Sequence, residues 1–336
     1  MPTIPLYVSC AKSREVQVFV LDPEQGSLLL LQRNSLPGEV LHLKLSADRR
    51  LLLAGTRGED ALHAFSVAPT YGTLRLLGSI PSPGAPTYVG LTPERDMAFV
   101  ASYRNNLLAA FPLTPRGRPR AATQILPELP RAHAAICPSD GRWLIVPTLG
   151  TDTIHSFALN TGHPQPLSSP AAAAVRVRPG SGPRHLVLSK DGSRAYCLNE
   201  LDNSLDAFDF NLETGQLVLR ESLSLCPHGF AGEPWAAELR LAPAGRYLYA
   251  TDRRSSTIAC VEISSDSGRL ALIAHVATET QPRGMAVSPC GRWLAVSGQA
   301  SHHLTLYALD PNSGLPTEHL RVPAGEEPIC VEMPTA

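Results

Sequence analysis

Four residues far apart in the chain, His133, Arg184, Glu200 and Arg283, carry the side chains that acid–base chemistry on an anionic substrate would need. An imidazole or a carboxylate can move a proton, and a guanidinium can grip a phosphate or carboxylate through two parallel N–H bonds. Their linear spacing does not bring them together. Arg184 and Arg283 nevertheless share a setting. Each follows a proline and opens a short apolar run, Pro183-Arg-His-Leu-Val-Leu and Pro282-Arg-Gly-Met-Ala-Val. Place in a repeat, rather than distance along the chain, relates them.

The repeat is a small turn followed by an apolar strand. Its copies read Ser46-Ala-Asp-Arg-Arg-Leu-Leu-Leu-Ala, Thr92-Pro-Glu-Arg-Asp-Met-Ala-Phe-Val, Pro138-Ser-Asp-Gly-Arg-Trp-Leu-Ile-Val, Ser189-Lys-Asp-Gly-Ser-Arg-Ala-Tyr-Cys, Ala242-Pro-Ala-Gly-Arg-Tyr-Leu-Tyr-Ala and Ser288-Pro-Cys-Gly-Arg-Trp-Leu-Ala-Val. Anchored on the third residue of each, the copies fall at 48, 94, 140, 191, 244 and 290, separated by 46, 46, 51, 53 and 46. Each repeat holds four short alternating runs broken by Gly, Pro, Asp and Asn, which predicts the blades of a β-propeller. No stretch sustains a helical period, and 31 prolines suit many tight connections.

Six anchors leave a seventh blade to be assembled from the ends. Leu6-Tyr-Val-Ser, Val16-Gln-Val-Phe-Val-Leu and Gly26-Ser-Leu-Leu-Leu-Leu read as its second to fourth strands, and Pro328-Ile-Cys-Val-Glu as its inner strand. The expectation is an all-β, seven-bladed propeller of four-stranded blades, one domain over 1–336, closed by pairing the two termini. Closure hides edges that would otherwise invite pairing with other chains. The irregular stretch 161–174 lengthens one repeat and is expected to form an outer connection.

In such a ring, equivalent repeat positions surround one channel. Seven residues before each anchor stand Leu41, Thr87, His133, Arg184, Ala237 and Arg283; nine after stand Arg57, Tyr103, Leu149, Glu200, Arg253 and Gln299. Both slots open onto the same mouth, so His133, Arg184, Glu200 and Arg283 should converge there as a catalytic set. Arg184 and Arg283 also serve as substrate anchors. Asn199, beside Glu200, and His302, on the rim loop of the last repeat, are further candidate substrate contacts. His185 is another, although strand alternation aims it at the opposite face from Arg184 and favours packing between blades.

Composition narrows the partners. With a net charge of −1 and a pI near 6.8, no basic face recruits nucleic acid or an anionic membrane. The N-terminus lacks a secretory pattern and no apolar run is long enough to span a bilayer. Seven scattered cysteines without a Cys-x-x-Cys read as reduced core residues of a cytoplasmic protein. There is no P-loop, no dinucleotide fingerprint, no His-Glu-x-x-His and no nucleophile elbow, so phosphotransfer, dinucleotide chemistry and serine hydrolysis are disfavoured.

The segments Gly182-Pro-Arg-His-Leu, Ala195-Tyr-Cys-Leu-Asn-Glu-Leu, Glu233-Pro-Trp-Ala-Ala, Glu279-Thr-Gln-Pro-Arg-Gly and Gly298-Gln-Ala-Ser-His-His resemble the propeller-type bacterial 6-phosphogluconolactonase family over essentially the full length. That family is similar to the propeller-type 3-carboxy-cis,cis-muconate cycloisomerases, whose His, two Arg and Glu map onto His133, Arg184, Arg283 and Glu200. The resemblance implies hydrolysis of 6-phospho-D-glucono-1,5-lactone to 6-phosphogluconate, a step of the oxidative pentose phosphate pathway, with Glu200 or His133 as base. Arg184 and Arg283 would divide phosphate binding and oxyanion stabilisation, and no metal or organic cofactor would be required. Ala134 stands where relatives often have Ser, and Glu238 where Asp is expected. The alternatives are a lactonase or cycloisomerase for another lactone such as a carboxymuconolactone, a sugar-phosphate binder without turnover, and a non-enzymatic scaffold.

Overall fold

The computed structural model describes residues 2–335, and seven small antiparallel sheets stand around a common axis. Blade 1 runs Glu39–Leu45, Leu51–Arg57, Ala61–Val67 and Leu74–Pro81 from the channel outward, and blade 4 runs Pro183–Leu188, Arg194–Asn199, Ser204–Phe210 and Leu217–Ser224. Blade 2 runs Tyr88–Leu91, Met97–Ser102, Leu107–Pro112 and Gln124–Leu126; blade 3 has the strands Trp143–Thr148, Thr153–Ala158 and Ala173–Arg176; blades 5 and 6 repeat the plan from Ala236–Leu241 and Pro282–Val287. Among the described residues the only helical element is the single turn Leu149–Thr151, and no helix is long and apolar enough to cross a membrane.

The recurring Ser or Thr two residues before the anchor has a local cause. Its hydroxyl oxygen accepts backbone N–H groups where the inner strand turns into the second. Ser46 Oγ takes Leu51 N at 3.0 Å, Ser189 Oγ takes Arg194 N at 3.0 Å and Ser288 Oγ takes Trp293 N at 3.0 Å. Such side-chain bonds stand in for ladder partners and favour turns over continued strand. The Gly turns between third and fourth strands have another cause. Gly215 has φ +71° and a Cβ there would lie 2.5 Å from the Trp143 ring of the preceding blade, whose Nε1 donates to Leu212 O at 2.7 Å. Only glycine fits both the backbone and the contact.

Side chains that alternate inward along each sheet meet those of the next sheet, giving an apolar cluster between each neighbouring pair of blades among the described residues. Phe99, Leu144 and Phe157 join blades 2 and 3, and Leu205, Leu248 and Val261 join blades 4 and 5. The last two clusters depend on the termini. The seventh sheet orders Pro328–Glu332, Ile4–Cys10, Glu15–Asp22 and Ser27–Ser35, with Tyr7 opposite Glu332 and Val8 opposite Val331. It packs on blade 6 through Trp293 and Leu306, and on blade 1 through Leu43 and Phe65. The ring therefore closes as the repeat count requires.

Blade 3 departs from its neighbours. Its innermost segment is held by isolated bridges, Ala132 to Thr148 and Ile136 to Ile145, rather than by a continuous ladder. Pro147 sits in the facing strand; its carbonyl accepts His133 N at 3.0 Å, but it has no N–H to return. The 161–174 stretch does lie outside, between the third and outer strands, where Leu167 tucks under Gln124.

Candidate active site

The channel mouth at which the inner strands begin and the second strands end forms a cavity of about 430 Å³. His133, Arg184, Glu200 and Arg283 all line it. Repeat position brings them together, because each slot recurs once per blade at one height of the ring.

A β-bulge at the start of the inner strand changes the reading of His185. Pro183 pairs with Asn199 and His185 with Leu198, so Arg184 is the extra residue and alternation fails. Arg184 and His185 consequently both reach the cavity, where strict alternation would have sent His185 to the opposite face. Blades 1 and 5 carry the same irregularity between Val40 and Leu43 and between Ala236 and Leu239. His42 and Glu238, in the slot that holds His185, enter by the same device. Two ring positions, six and seven residues before the anchor, thus supply cavity side chains where one was expected.

Glu200 is the electrostatic centre. Its Oε2 accepts Arg184 Nε at 2.7 Å and lies 3.0 Å from a terminal nitrogen of Arg253, while Trp235 Nε1 donates to Oε1 at 3.3 Å. Burial alone would push this carboxyl up, but the two guanidiniums and their hydrogen bonds outweigh it and hold the group below the usual glutamate range. Arg253 is itself fixed: it lies 3.8 Å over the Trp235 ring and donates to Trp235 O and Ala236 O. Arg184 also donates to Ala237 O.

Positive charge is in excess. Five arginines (Arg57, Arg104, Arg184, Arg253, Arg283) line the cavity against two glutamates (Glu200, Glu238), with Arg57 also tied to Glu39. Arg283 donates to the neutral Gln299 amide at 3.2 Å and forms no ion pair among the described residues. Burial, and then repulsion from Arg184, lower the hold of Arg283 on its proton to about 10 and that of Arg253 well below the ordinary guanidinium range. Arginine stays charged in proteins, so both directions describe a site short of an anion. Burial and the same guanidiniums depress His133 and His185 well below the usual imidazole range, leaving both rings neutral at pH 7.

The remaining candidates fall elsewhere. Asn199 does not line the cavity: its Nδ2 donates to Ser204 Oγ and Asp206 Oδ2, both at 2.8 Å, inside blade 4. Being adjacent to Glu200 on a strand end, it faces the other way. His302 is exposed on its loop with φ +58°, and its Nδ1 accepts Glu327 N at 3.0 Å, outside the cavity lining. Arg253 and Trp235 carry weight that the residue-type argument did not assign them. Arg253 already shared the slot of Glu200, so the ring rule contained it. Trp235 had no repeat signal. No group of three or more His, Cys, Asp or Glu among the described residues could hold a metal ion.

A closed ring whose mouth buries cations, a clamped carboxylate and neutral imidazoles defines a small-molecule enzyme of the propeller class. The chain belongs to the lactonase family of seven-bladed β-propellers, whose family model matches residues 5–333. It is 34% identical over 328 residues to a 6-phosphogluconolactonase of Yersinia pestis, covering 98% of this chain and 97% of the relative. A 6-phosphogluconolactonase of Cronobacter sakazakii is 35% identical over 327 residues, covering 97% of each. Among solved structures, a periplasmic gluconolactonase of Pseudomonas aeruginosa superposes with a TM-score of 0.89 at 27% identity, covering 98% of this chain and 99% of that one.

Proposed function

We propose that this protein hydrolyses 6-phospho-D-glucono-1,5-lactone to 6-phosphogluconate. The observation that carries the reading is the cationic excess of a cavity sized for one sugar, with an arginine, Arg283, that lacks a carboxylate partner. A phosphorylated lactone supplies the missing negative charge twice, in its phosphate and in the oxyanion formed when water adds to the carbonyl. The names of the relatives point to the same substrate.

Arg283 receives an anionic group directly, since no protein carboxylate competes for it. Arg184 and Arg253 are oriented by Glu200 and lend the site a positive field that strengthens as charge develops on the carbonyl oxygen. Glu200 spends its lone pairs on those guanidiniums and is a poor proton acceptor; its part is to fix them. The neutral imidazoles are the groups left to take a proton from water at pH 7. Seven unpaired cysteines, with burial pushing Cys10, Cys137, Cys260 and Cys330 up to about 12, support residence in a reducing compartment such as the cytoplasm.

The test is to generate the phospholactone from glucose 6-phosphate and follow its loss with purified protein. Acceleration over the spontaneous rate supports the proposal, and no acceleration at micromolar enzyme overturns it. Glucono-1,5-lactone without phosphate is the matched control. Equal kcat/KM on both would move the assignment toward the gluconolactonase that the Pseudomonas structure represents.

A further inference from the structure

His133 and His185 lie side by side, with ring centroids 5.2 Å apart, but their hydrogen bonds differ. His185 Nδ1 is 2.7 Å from Glu238 Oε1. Glu238 is 2% exposed and is held in turn by Leu239 N at 3.1 Å and by Arg240, whose guanidinium lies 3.1 Å from the same oxygen. A neutral ring facing a carboxylate that is already paired with a guanidinium carries its proton on the facing nitrogen. His185 Nε2 makes no hydrogen bond among the described residues, and the residue lines the cavity. His133 has the opposite pattern. Its Nδ1 is buried without a partner, and its Nε2 faces Glu200 Oε2 at 4.0 Å. A proton on Nε2 faces that carboxylate and leaves only an acceptor unpaired, the less costly orphan.

We infer that His185 is the general base of the cavity and that Glu238 is its positioning residue, holding the proton on Nδ1 so that the Nε2 lone pair faces the substrate. This rests on the hydrolytic reading above. Nε2 takes a proton from water as the water oxygen bonds to the lactone carbonyl carbon. The carbonyl π pair moves onto its oxygen, which the guanidiniums and His133 Nε2–H receive. When the C=O bond re-forms, the bond to the ring oxygen breaks, and that oxygen takes the proton back from His185. The open-chain acid then loses its carboxyl proton to bulk water.

The charged groups around His185 set its basicity. Arg184, Arg240, Arg283 and Arg253 oppose a second proton on the ring, and Glu238 favours it. The rings of Tyr88, His42 and His133 pack edge-on around it and add no charge at neutral pH. An anionic substrate offsets the arginines, so the ring becomes a better base when the site is filled. The expected Asp at position 238 would reach less far; Glu238 spans the gap with one more methylene.

The experiment measures kcat and KM on the phospholactone, with a thermal melt and calorimetric binding of 6-phosphogluconate as controls for folding. His185→Asn is expected to lower kcat by about 10²–10⁴-fold while KM changes little. Glu238→Gln, which keeps shape but frees the tautomer, is expected to lower kcat by at least about tenfold, with Glu238→Asp, which keeps the charge but stops one methylene short, restoring only part of it. Imidazole nitrogen NMR of the wild type should show His185 protonated on Nδ1, and the Gln variant should lose that preference. Wild-type activity with an undiminished His185→Asn, a Glu238→Gln defect confined to KM, or an Nε2-protonated His185 overturns the base assignment alone. Absence of wild-type acceleration overturns the hydrolytic reading and the base with it.

Discussion

The cavity mouth and the loop behind blade 6 each bury a glutamate against arginine, to different ends. Glu279, 5% exposed, accepts Ser301 Oγ, Thr305 Oγ1 and both Nε and a terminal nitrogen of Arg321, the last two at 2.8 and 3.1 Å. Every lone pair is answered by one cation and two hydroxyls, and the unit fastens a loop. Glu200 is also buried, yet it holds two guanidiniums in a cavity where three more arginines crowd. The first arrangement is closed on itself. The second leaves charge for a ligand to complete, and completion by a ligand is what separates a site from a fastening.

The wider contrast is between that mouth and the seven apolar interfaces that carry it, and it can be broken in graded ways. The largest effect should come from deleting residues 328–336, which removes Ile329, Cys330 and Val331 and opens the ring between blades 6 and 1. Each buried apolar side chain contributes about 1.5–3 kcal/mol against a typical total of about 5–15, so the cooperative thermal melt should vanish. A shortened protein that melts as the full chain does would show that the closure carries no weight.

Phe99→Ala, in the blade 2–3 interface, should lower unfolding free energy by about 3–5 kcal/mol in a denaturant titration and leave kcat per folded molecule unchanged. Arg283→Met should do the reverse. It removes a cation with no carboxylate partner, so kcat/KM should fall by about a hundredfold or more while the melting temperature holds or rises. Loss of stability in the Met variant would mean that Arg283 belongs to the frame rather than to the site.

Acid should weaken the mouth before the interfaces. His42, His133 and His185 are depressed in the folded state by burial first and neighbouring charge second, so the unfolded chain binds protons at higher pH than the folded one. Their contribution is complete above about pH 6.5 and shrinks as pH falls below it. Glu200 and Glu279 are held below the usual carboxylate range, so their share persists to about pH 4.5 and fades as pH falls further. Melting temperature measured from pH 7 to 5 should therefore slope less in His133→Asn than in the wild type.

The ring is legible in the chain before any coordinates are known. The 46-residue spacing, the Ser/Thr and Gly turns and the split terminal blade are local chemistry repeated, and closure follows from having seven copies. Equivalent slots then named His133, Arg184, Glu200, Arg253 and Arg283 as neighbours, since a rotational repeat turns position in the chain into position around an axis. Which way each side chain faces was settled only by the fold. The bulge at Arg184 brings His185 into the cavity, Asn199 turns into its blade, and Trp235 arrives on a connection that carries no repeat. A bulge depends on how two strands pair, and pairing is a property of both strands together, so neither residue type nor spacing on one of them can announce it.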